Sequence, residues 1–170
     1  MAKRIIVTDP MPVLKEPTRP ITVFNEELHN LVADMAETMY DAPGVGLAAN
    51  QIAVPLQLVV IDITPKEEER ELIVLVNPRI VEAEGEQCDE EGCLSVVDYT
   101  ATVKRFEKVR VMAQDIDGAP MQFTAEGFFA RVIQHELDHL NGMLFVDRLS
   151  SLKRTLYRKR RKKQLQKENA

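Results

Sequence analysis

Apolar residues recur at helical spacing near the start of the chain and predict a first helix. Their positions fall at i, i+3, i+4, i+7 and i+11, which places them on one face. They are Leu28, Leu31, Val32, Met35 and Met39. Asn25 can cap this helix, so we expect it to begin at Glu26. Because Pro43 and Gly44 follow, we expect it to end near Asp41.

Dense runs of branched residues predict strands in the middle of the chain. Residues 56–63 and residues 71–78 form two such runs, with a charged loop between them. Residues 79–86 continue as a strand, and we expect the loop after them to hold both cysteines. Residues 108–125 predict a hairpin that turns at the Asp-Gly pair of positions 117 and 118.

Two further helices are predicted towards the end of the chain. Thr124 can cap the second helix, and Gly142 is a natural stop for it. Apolar residues along this helix are Phe128, Val132 and Leu140. Ser150 can begin the third helix, which carries a basic tail.

The order of these elements predicts an α+β fold. Strands and helices do not alternate regularly, which argues against a doubly wound parallel sheet. We expect mostly antiparallel strands packed around the second helix, plus a C-terminal helix. Length favours one domain, with residues 1–147 as its catalytic part and residues 148–170 as a basic tail of the same domain.

Composition is that of a globular protein rather than a disordered one. Hydrophobic residues make up 45% of the 170 positions and charged residues 29%. No apolar run approaches the ~20 residues of a membrane span, and the first residues do not resemble a signal peptide. We therefore expect a cytoplasmic protein without a membrane partner. Its two cysteines are too few for a disulfide framework.

Charge is distributed unevenly along the chain. Residues 148–170 contain ten lysines and arginines against Glu168 alone, a formal charge of +9. Because the whole chain carries −5, residues 1–147 carry −14. A solvated helix face would explain such a run, but its density also favours a polyanionic partner.

The segment VIQHELDHLNG, residues 132–142, holds two of the three histidines of the chain. His135 and His139 are four residues apart and therefore lie on one face of a helix. This HExxH motif, His-Glu-x-x-His, can hold a divalent metal, with Glu136 beside it as a general base. The alternative is a pair of solvent-facing histidines, although apolar neighbours favour a buried helix.

A catalytic site of this type needs a third protein ligand. Cys93, in the stretch EEGCLSV, is a better candidate than His29, which lies on the first helix near the surface. A thiolate is a soft and strong metal ligand. The alternative is an inert buried thiol.

The stretch GVGLAANQ, residues 44–51, matches a dinucleotide fingerprint only formally. That motif requires a strand before it and a helix after it, whereas here the order is reversed. We therefore reject nucleotide binding and expect a tight loop whose small residues allow close approach. Gln51 offers a side-chain amide donor there.

Taken together, GVGLAANQ, EGCLS and QHELDHLNG resemble the three signature motifs of the peptide deformylase family. The resemblance spans nearly the whole chain. It implies that Cys93, His135 and His139 bind the metal, with water in the fourth position. In the family the metal is usually Fe(II), and zinc, nickel or cobalt can substitute. From the ligand types alone we would have expected zinc.

The resemblance also implies the reaction, which is removal of the N-formyl group from the initiator methionine of new polypeptides, with release of formate. Metal-bound hydroxide is the implied nucleophile, and Glu136 the general base and acid. The Gln51 side chain and the Leu94 backbone N–H would stabilise the oxyanion.

Substrate-binding positions are implied as well. They are Val45, Gly46, Glu91, Phe128 and Val132. The implied partners are N-formylmethionyl nascent peptides and, through the basic tail, the ribosome, with no sequence-specific nucleic-acid binding.

Departures from the family pattern lie outside the three motifs. Val97 replaces a proline, and residues 98–100 stand where an arginine often lies. Arg131 takes a commonly apolar place, which predicts a more polar pocket rim. We also hypothesise that Cys88 forms a disulfide with Cys93 once the metal leaves.

Two rival functions stay open at this point. One is a zinc protease, which would cut peptide bonds and release no formate. The other is a non-catalytic RNA-binding or ribosome-binding protein with a dead metal site.

Overall fold

Two antiparallel sheets and three α-helices make up the computed structural model, which describes residues 2–169. The strands are β1 (Gly46–Ala48), β2 (Leu58–Ile61), β3 (Ile73–Glu84), β4 (Gln87–Cys93), β5 (Val96–Arg105), β6 (Lys108–Gln114) and β7 (Pro120–Glu126). The helices are α1 (Glu26–Asp41), α2 (Gly127–Leu140) and α3 (Ser151–Glu168). Short 3-10 turns are Pro12–Lys15, Ala49–Ile52 and Phe145–Arg148. The predicted α+β class is confirmed.

The larger sheet has the strand order β1-β2-β3-β6-β7, and β4 and β5 form a separate hairpin. Every pairing between these strands is antiparallel. Helix α1 covers one face of the larger sheet and α2 covers the other. All four residues of β2 are buried for this reason, since Leu58 and Val60 pack with α1 while Val59 and Ile61 pack with α2.

Several predicted helix boundaries are confirmed. The Asn25 side chain accepts a hydrogen bond from the backbone N–H of Leu28, and α1 ends at Asp41. Gly142 has φ +75° directly after α2, a conformation that glycine adopts without strain. The Ser150 side chain accepts from the N–H of Lys153 and caps α3.

Two local predictions are wrong. Thr124 does not cap α2 but lies within β7, and the helix begins three residues later at Gly127. Gly127 has φ +59°, which allows the chain to turn sharply from β7 into the helix. The cysteines do not lie in a loop, because Cys88 and Cys93 are both on β4.

Helix α3 packs against the body through one of its faces. Tyr157 and Arg161 are buried, the Tyr157 hydroxyl donates to Asp9 Oδ2 at 2.7 Å, and Arg161 Nε donates to the Asp9 carbonyl at 2.7 Å. Arg160 donates to the Asp98 carbonyl at 2.6 Å. The tail is therefore a docked helix whose outer face carries the remaining cations.

None of the helices within residues 2–169 combines the length and the apolar composition that crossing a bilayer requires.

Candidate metal centre

Strand β4 and helix α2 bring one thiol and two imidazoles together. The potential ligand atoms of Cys93, His135 and His139 all lie within 4.8 Å of one another. Cys93 Sγ is 3.3 Å from His139 Nε2. The histidine rings meet edge to face at a centroid distance of 5.1 Å, as expected for positions i and i+4 of one helix. We refer to these three residues as the Cys-His-His cluster.

The Cys-His-His cluster fits a divalent transition metal. Bonds of about 2.0–2.3 Å in tetrahedral geometry separate ligand atoms by roughly 3.3–3.6 Å, close to the observed sulfur–nitrogen distance. One thiolate and two imidazoles suit zinc, iron, cobalt and nickel alike. Beside the cluster, Glu136 Oε1 is buried and has no hydrogen-bond partner within residues 2–169. That orphaned oxygen is consistent with a polar occupant.

Glu91 fixes the orientation of the His135 ring. Its Oε1 lies 2.8 Å from His135 Nδ1, so Nε2 is the nitrogen left for a metal. Arg105 donates to the two Glu91 oxygens at 2.9 and 2.8 Å, and Arg131 Nη1 donates to Oε2 as well. Burial opposes the charge on Glu91, but its hydrogen bonds with Arg105 and His135 outweigh that cost and lower the pKa of Glu91 to about 2.

The ionic contacts around Glu91 continue through Arg105 to Asp138 on α2. Arg105 Nη1 donates to Asp138 Oδ2 at 2.6 Å, and Arg148 donates to both Asp138 oxygens at 2.7 Å. The Arg105 side chain is 1% exposed. These contacts tie β5, α2 and the turn Phe145–Arg148 together.

The two histidines of the cluster have opposite proton affinities. Burial tends to lower the pKa of His135, but hydrogen bonds with Cys93 and Glu91 outweigh it and raise that pKa well above the ordinary value. Burial, together with the positive charge of His135, lowers the pKa of His139 well below the ordinary value. A cation bound at the cluster would take the place of the His135 proton.

Gln51 is positioned by the 3-10 turn Ala49–Ile52. Its Oε1 accepts from the backbone N–H of Ala48 at 3.0 Å, which directs Nε2 towards Ser95 Oγ at 3.1 Å and Cys93 Sγ at 3.6 Å. The N–H of Ser95 lies 3.4 Å from the same sulfur. Leu94 lies between these residues, in the turn that joins β4 and β5.

Glu136 lies beside Gly46 in the interior. Burial raises the pKa of Glu136 to about 7, and a bound cation would lower it again. A Cβ atom added at Gly46 would lie 2.6 Å from Glu136 Oε2 and 3.0 Å from its Cδ and Cγ. Glycine is therefore required at this position for Glu136 to keep its place.

A cavity of about 410 Å³ opens onto this site. All five residues that we predicted to bind substrate line it. Val45 is 42% exposed and Phe128 57% exposed at its mouth, and Val132 is buried. Glu91 also lines the cavity, although its carboxylate is engaged with His135 and two arginines. Arg131 also lines the cavity, but it is buried in the wall at 4% exposure, whereas we predicted a polar residue at the rim.

The structure brings together every residue that the sequence nominated for the site. It excludes His29, whose ring lies 3.2 Å from Asp117 on the outer side of α1. Sequence reasoning missed Ser95, Arg105 and Asp138. A buried charge on a strand leaves a weak signal, because Arg105 belongs to an element that the apolar pattern did not predict.

Cys88 cannot pair with Cys93 in this fold. The two residues are five positions apart on the extended strand β4, roughly 17 Å at the usual rise per residue. A disulfide requires Cα atoms within about 7 Å. The disulfide hypothesis is therefore wrong for the folded protein.

The chain is similar to known proteins along nearly its whole length. The sequence profile described as polypeptide deformylase matches residues 3–155. A peptide deformylase of Desulfotalea psychrophila is 57% identical, covering 96% of this chain and 97% of the relative. Another, from Acidobacterium capsulatum, is 51% identical and covers 96% of each chain. The crystal structure of a peptide deformylase from Legionella pneumophila superposes with a TM-score of 0.88 at 50% identity, covering 97% of this chain and 98% of that one. The chain therefore belongs to the polypeptide deformylase family.

Proposed function

We propose that this protein hydrolyses the formyl amide of N-formylmethionyl peptides, releasing formate and a free α-amine. The observation that carries the proposal is the Cys-His-His cluster with the buried carboxylate of Glu136 beside it, at the base of a cavity. Water supplies an oxygen to formate, the carbon–nitrogen bond breaks, and the amine gains a proton.

We propose that Cys93, His135 and His139 hold one Fe(II) ion per chain, which zinc, nickel or cobalt can replace. When bound, such a metal lowers the pKa of a water molecule and so supplies the nucleophile. Glu91 is a positioning residue for this site, because its carboxylate accepts from His135 Nδ1 and keeps Nε2 turned towards the cluster.

Glu136 is the proposed general base and acid. Its carboxylate takes the proton of the attacking water and then delivers it to the leaving amine. Burial supports this role, since it raises the pKa of Glu136 towards neutrality. Gly46 supports it sterically by leaving room for the carboxylate.

Gln51 and Leu94 are the proposed oxyanion donors. The Gln51 side chain is buried and its amide is oriented by Ala48, so little reorganisation is needed when negative charge grows on the formyl oxygen. The Leu94 backbone N–H belongs to the turn directly after Cys93. Loss of one such donor typically costs about 10²–10³ in rate.

The cavity gives the proposed selectivity for methionine. Val45, Phe128 and Val132 provide an apolar surface next to the cluster. A formyl group is small, so most of the binding energy for a substrate must come from the neighbouring side chain and the peptide backbone. Gly46 in β1 and Glu91 in β4 complete the proposed peptide-binding set.

A Glu136→Gln variant tests the proposal. We expect it to retain metal and to lose formate release from formyl-Met-Ala-Ser by at least about 10³-fold, since an amide in place of the carboxylate cannot take up and return the proton. The matched control is Glu67→Gln in the exposed loop between β2 and β3. Unchanged turnover in Glu136→Gln would favour a non-catalytic protein, and endopeptidase activity without formate would favour the protease.

The proposed cellular partner is the ribosome, which places the protein in the cytoplasm with the nascent chains. The outer face of α3 supports this, because its cations lie on the side away from the docked residues Tyr157 and Arg161. Residues 1–147 would then form the catalytic part, and residues 148–170 the docking tail of the same domain.

Substitution of exposed lysines tests the ribosome proposal without removing the packed face of α3. Changing Lys162 and Lys163 to glutamine should weaken co-sedimentation with ribosomes and reduce the salt dependence of binding by about one to two counterions. Formyl-peptide turnover should be unaffected. The matched control changes Lys66 and Lys104, exposed lysines outside α3. Equal loss in both variants would contradict docking through α3.

A further inference from the structure

Arg131 is a buried cation in the wall of the substrate cavity. It lies on α2 one turn before His135, is 4% exposed and lines the same cavity as Val45 and Phe128. Its Nη1 donates to Glu91 Oε2, and its Nε donates to Gln87 Oε1 at 3.1 Å. These contacts hold the guanidinium plane in place against β4.

The other terminal nitrogen of this guanidinium has no acceptor. Arg131 Nη2 is buried, and no hydrogen-bond partner for it lies within residues 2–169. Glu91 cannot serve it as well, because the two oxygens of that carboxylate are already shared among Arg105, His135 and Arg131 Nη1. A buried N–H without a partner is costly, and one on a charged group is more so. An occupant that brings an acceptor would remove that cost.

The chemistry around Arg131 defines such an occupant. Apolar walls formed by Val45, Phe128 and Val132 suit a linear side chain of methionine length. An anionic side chain would face the carboxylates of Glu90, Glu91 and Glu136, which also line the cavity. A neutral group with one strong acceptor oxygen part-way along the chain meets both conditions. Methionine sulfoxide, the oxidised form of methionine, has that group.

We propose that Arg131 makes this site competent for N-formyl peptides that begin with methionine sulfoxide. The inference rests on the proposed deformylation. The reaction is the same hydrolysis of the formyl amide, and the sulfoxide is neither reduced nor otherwise changed. Arg131 acts as a specificity-determining residue, with Nη2 donating to the sulfoxide oxygen.

The expected size of the effect follows from the cost of burying a polar group. An apolar pocket without a donor should reject the sulfoxide by about a hundredfold or more relative to a hydrocarbon of the same length, because the oxygen loses its hydration. A charged donor recovers most of that loss. Norleucine is the hydrocarbon reference, since it has the shape of methionine without the sulfur.

The first experiment uses the wild-type, metal-loaded protein. Formate release is measured on formyl-Met-Ala-Ser, formyl-norleucine-Ala-Ser and the two sulfoxide epimers of formyl-Met(O)-Ala-Ser. We expect the better epimer to keep at least about a tenth of the kcat/KM of the norleucine peptide. We also expect the two epimers to differ, because the donor approaches from one side of the pocket. A better epimer below that tenth would overturn the inference.

The second experiment replaces the donor. In Arg131→Leu, kcat/KM for the better epimer should fall by a further tenfold or more relative to the norleucine peptide, which reports any general damage to Glu91 and His135. Arg131→Lys gives the same comparison if the leucine variant does not fold, since one ammonium group cannot serve Glu91 and the substrate together. An unchanged sulfoxide-to-norleucine ratio in the folded variant would overturn the inference. If formyl-Met-Ala-Ser itself releases no formate from wild type, the proposed function fails instead.

Discussion

Replacing Gly46 by alanine should disable the enzyme while leaving the metal site intact. The new Cβ would lie 2.6 Å from Glu136 Oε2, whereas ordinary contacts of a Cβ begin near 3.4 Å. The carboxylate must therefore shift by about 0.8 Å, and its Cγ and Cδ, each 3.0 Å from the new atom, must shift with it. Because Glu136 is buried, such a shift must either displace its neighbours or move the carboxylate towards the cavity that it lines, and both change its position relative to the cluster.

A misplacement of about 1 Å at a reacting group can cost about 10² in rate. We therefore expect kcat/KM for formyl-Met-Ala-Ser to fall by roughly a hundredfold in Gly46→Ala. Formate release is the assay, and metal content per chain is measured on the same samples. Metal content should match wild type, since the three atoms nearest to the added methyl group all belong to Glu136 and none to the Cys-His-His cluster.

Gly44→Ala is the matched control, two residues away in the segment that leads into β1. Its Cβ would meet the end of the Leu94 side chain at 3.0 Å, which can rotate aside. We expect this variant to stay within about threefold of wild type. The steric reasoning is refuted if Gly46→Ala, fully metal-loaded, also stays within threefold, or if both variants lose activity equally.

Three further predictions follow from the contacts of Glu91 and Tyr157. Glu91→Gln removes the charge that orients His135, so metal affinity measured by chelator competition should fall about 10–100-fold. Unchanged affinity would show that Glu91 does not position the His135 ring. In metal-free protein, the ionised Glu91 contributes to the free energy of unfolding above its ordinary pKa of 4.5. As the pH falls towards its folded pKa of about 2, urea unfolding should show a loss of about 3 kcal/mol. Glu91→Gln should show a flatter pH dependence over that interval, and an equal slope would contradict the assignment. Tyr157 packs on Tyr99 and donates to Asp9, so Tyr157→Ala should lower the free energy of unfolding by about 3 kcal/mol and Tyr157→Phe by about 1 kcal/mol. The control Leu156→Ala, on the exposed side of α3, should change it little. Equal effects at both positions would mean that α3 is not docked in solution.

The sequence predicted the structure well where it carries a regular apolar pattern, a helix cap or a turn pair. The apolar stripe and the cap at Asn25 defined α1, and the Asp-Gly pair defined the turn between β6 and β7. The strand β4 was missed because its sequence, QCDEEGC, carries acidic residues and no branched apolar residue. It is a strand because it pairs with β5 along its length, and tertiary pairing outweighs intrinsic preference there.

The candidate site divides in the same way. Because of their spacing, His135 and His139 share one face of a helix, so the candidate metal-binding helix could be predicted from the sequence. The ionic contacts around Glu91 were not visible, because Arg105 and Arg131 lie 14 and 40 residues away along the chain and come from different elements. No local sequence pattern predicts that two arginines will contact the same carboxylate.

The separation of the proposed metal ligands along the chain has a consequence for how each new copy of the protein matures. Cys93 is made more than forty residues before His139, on a hairpin that does not belong to the larger sheet. Metal capture must therefore be a late event in biogenesis, after α2 has left the exit tunnel and the hairpin has closed onto it. Until then the cysteine is separated from the histidine pair, and the emerging polypeptide would bind a metal ion only weakly.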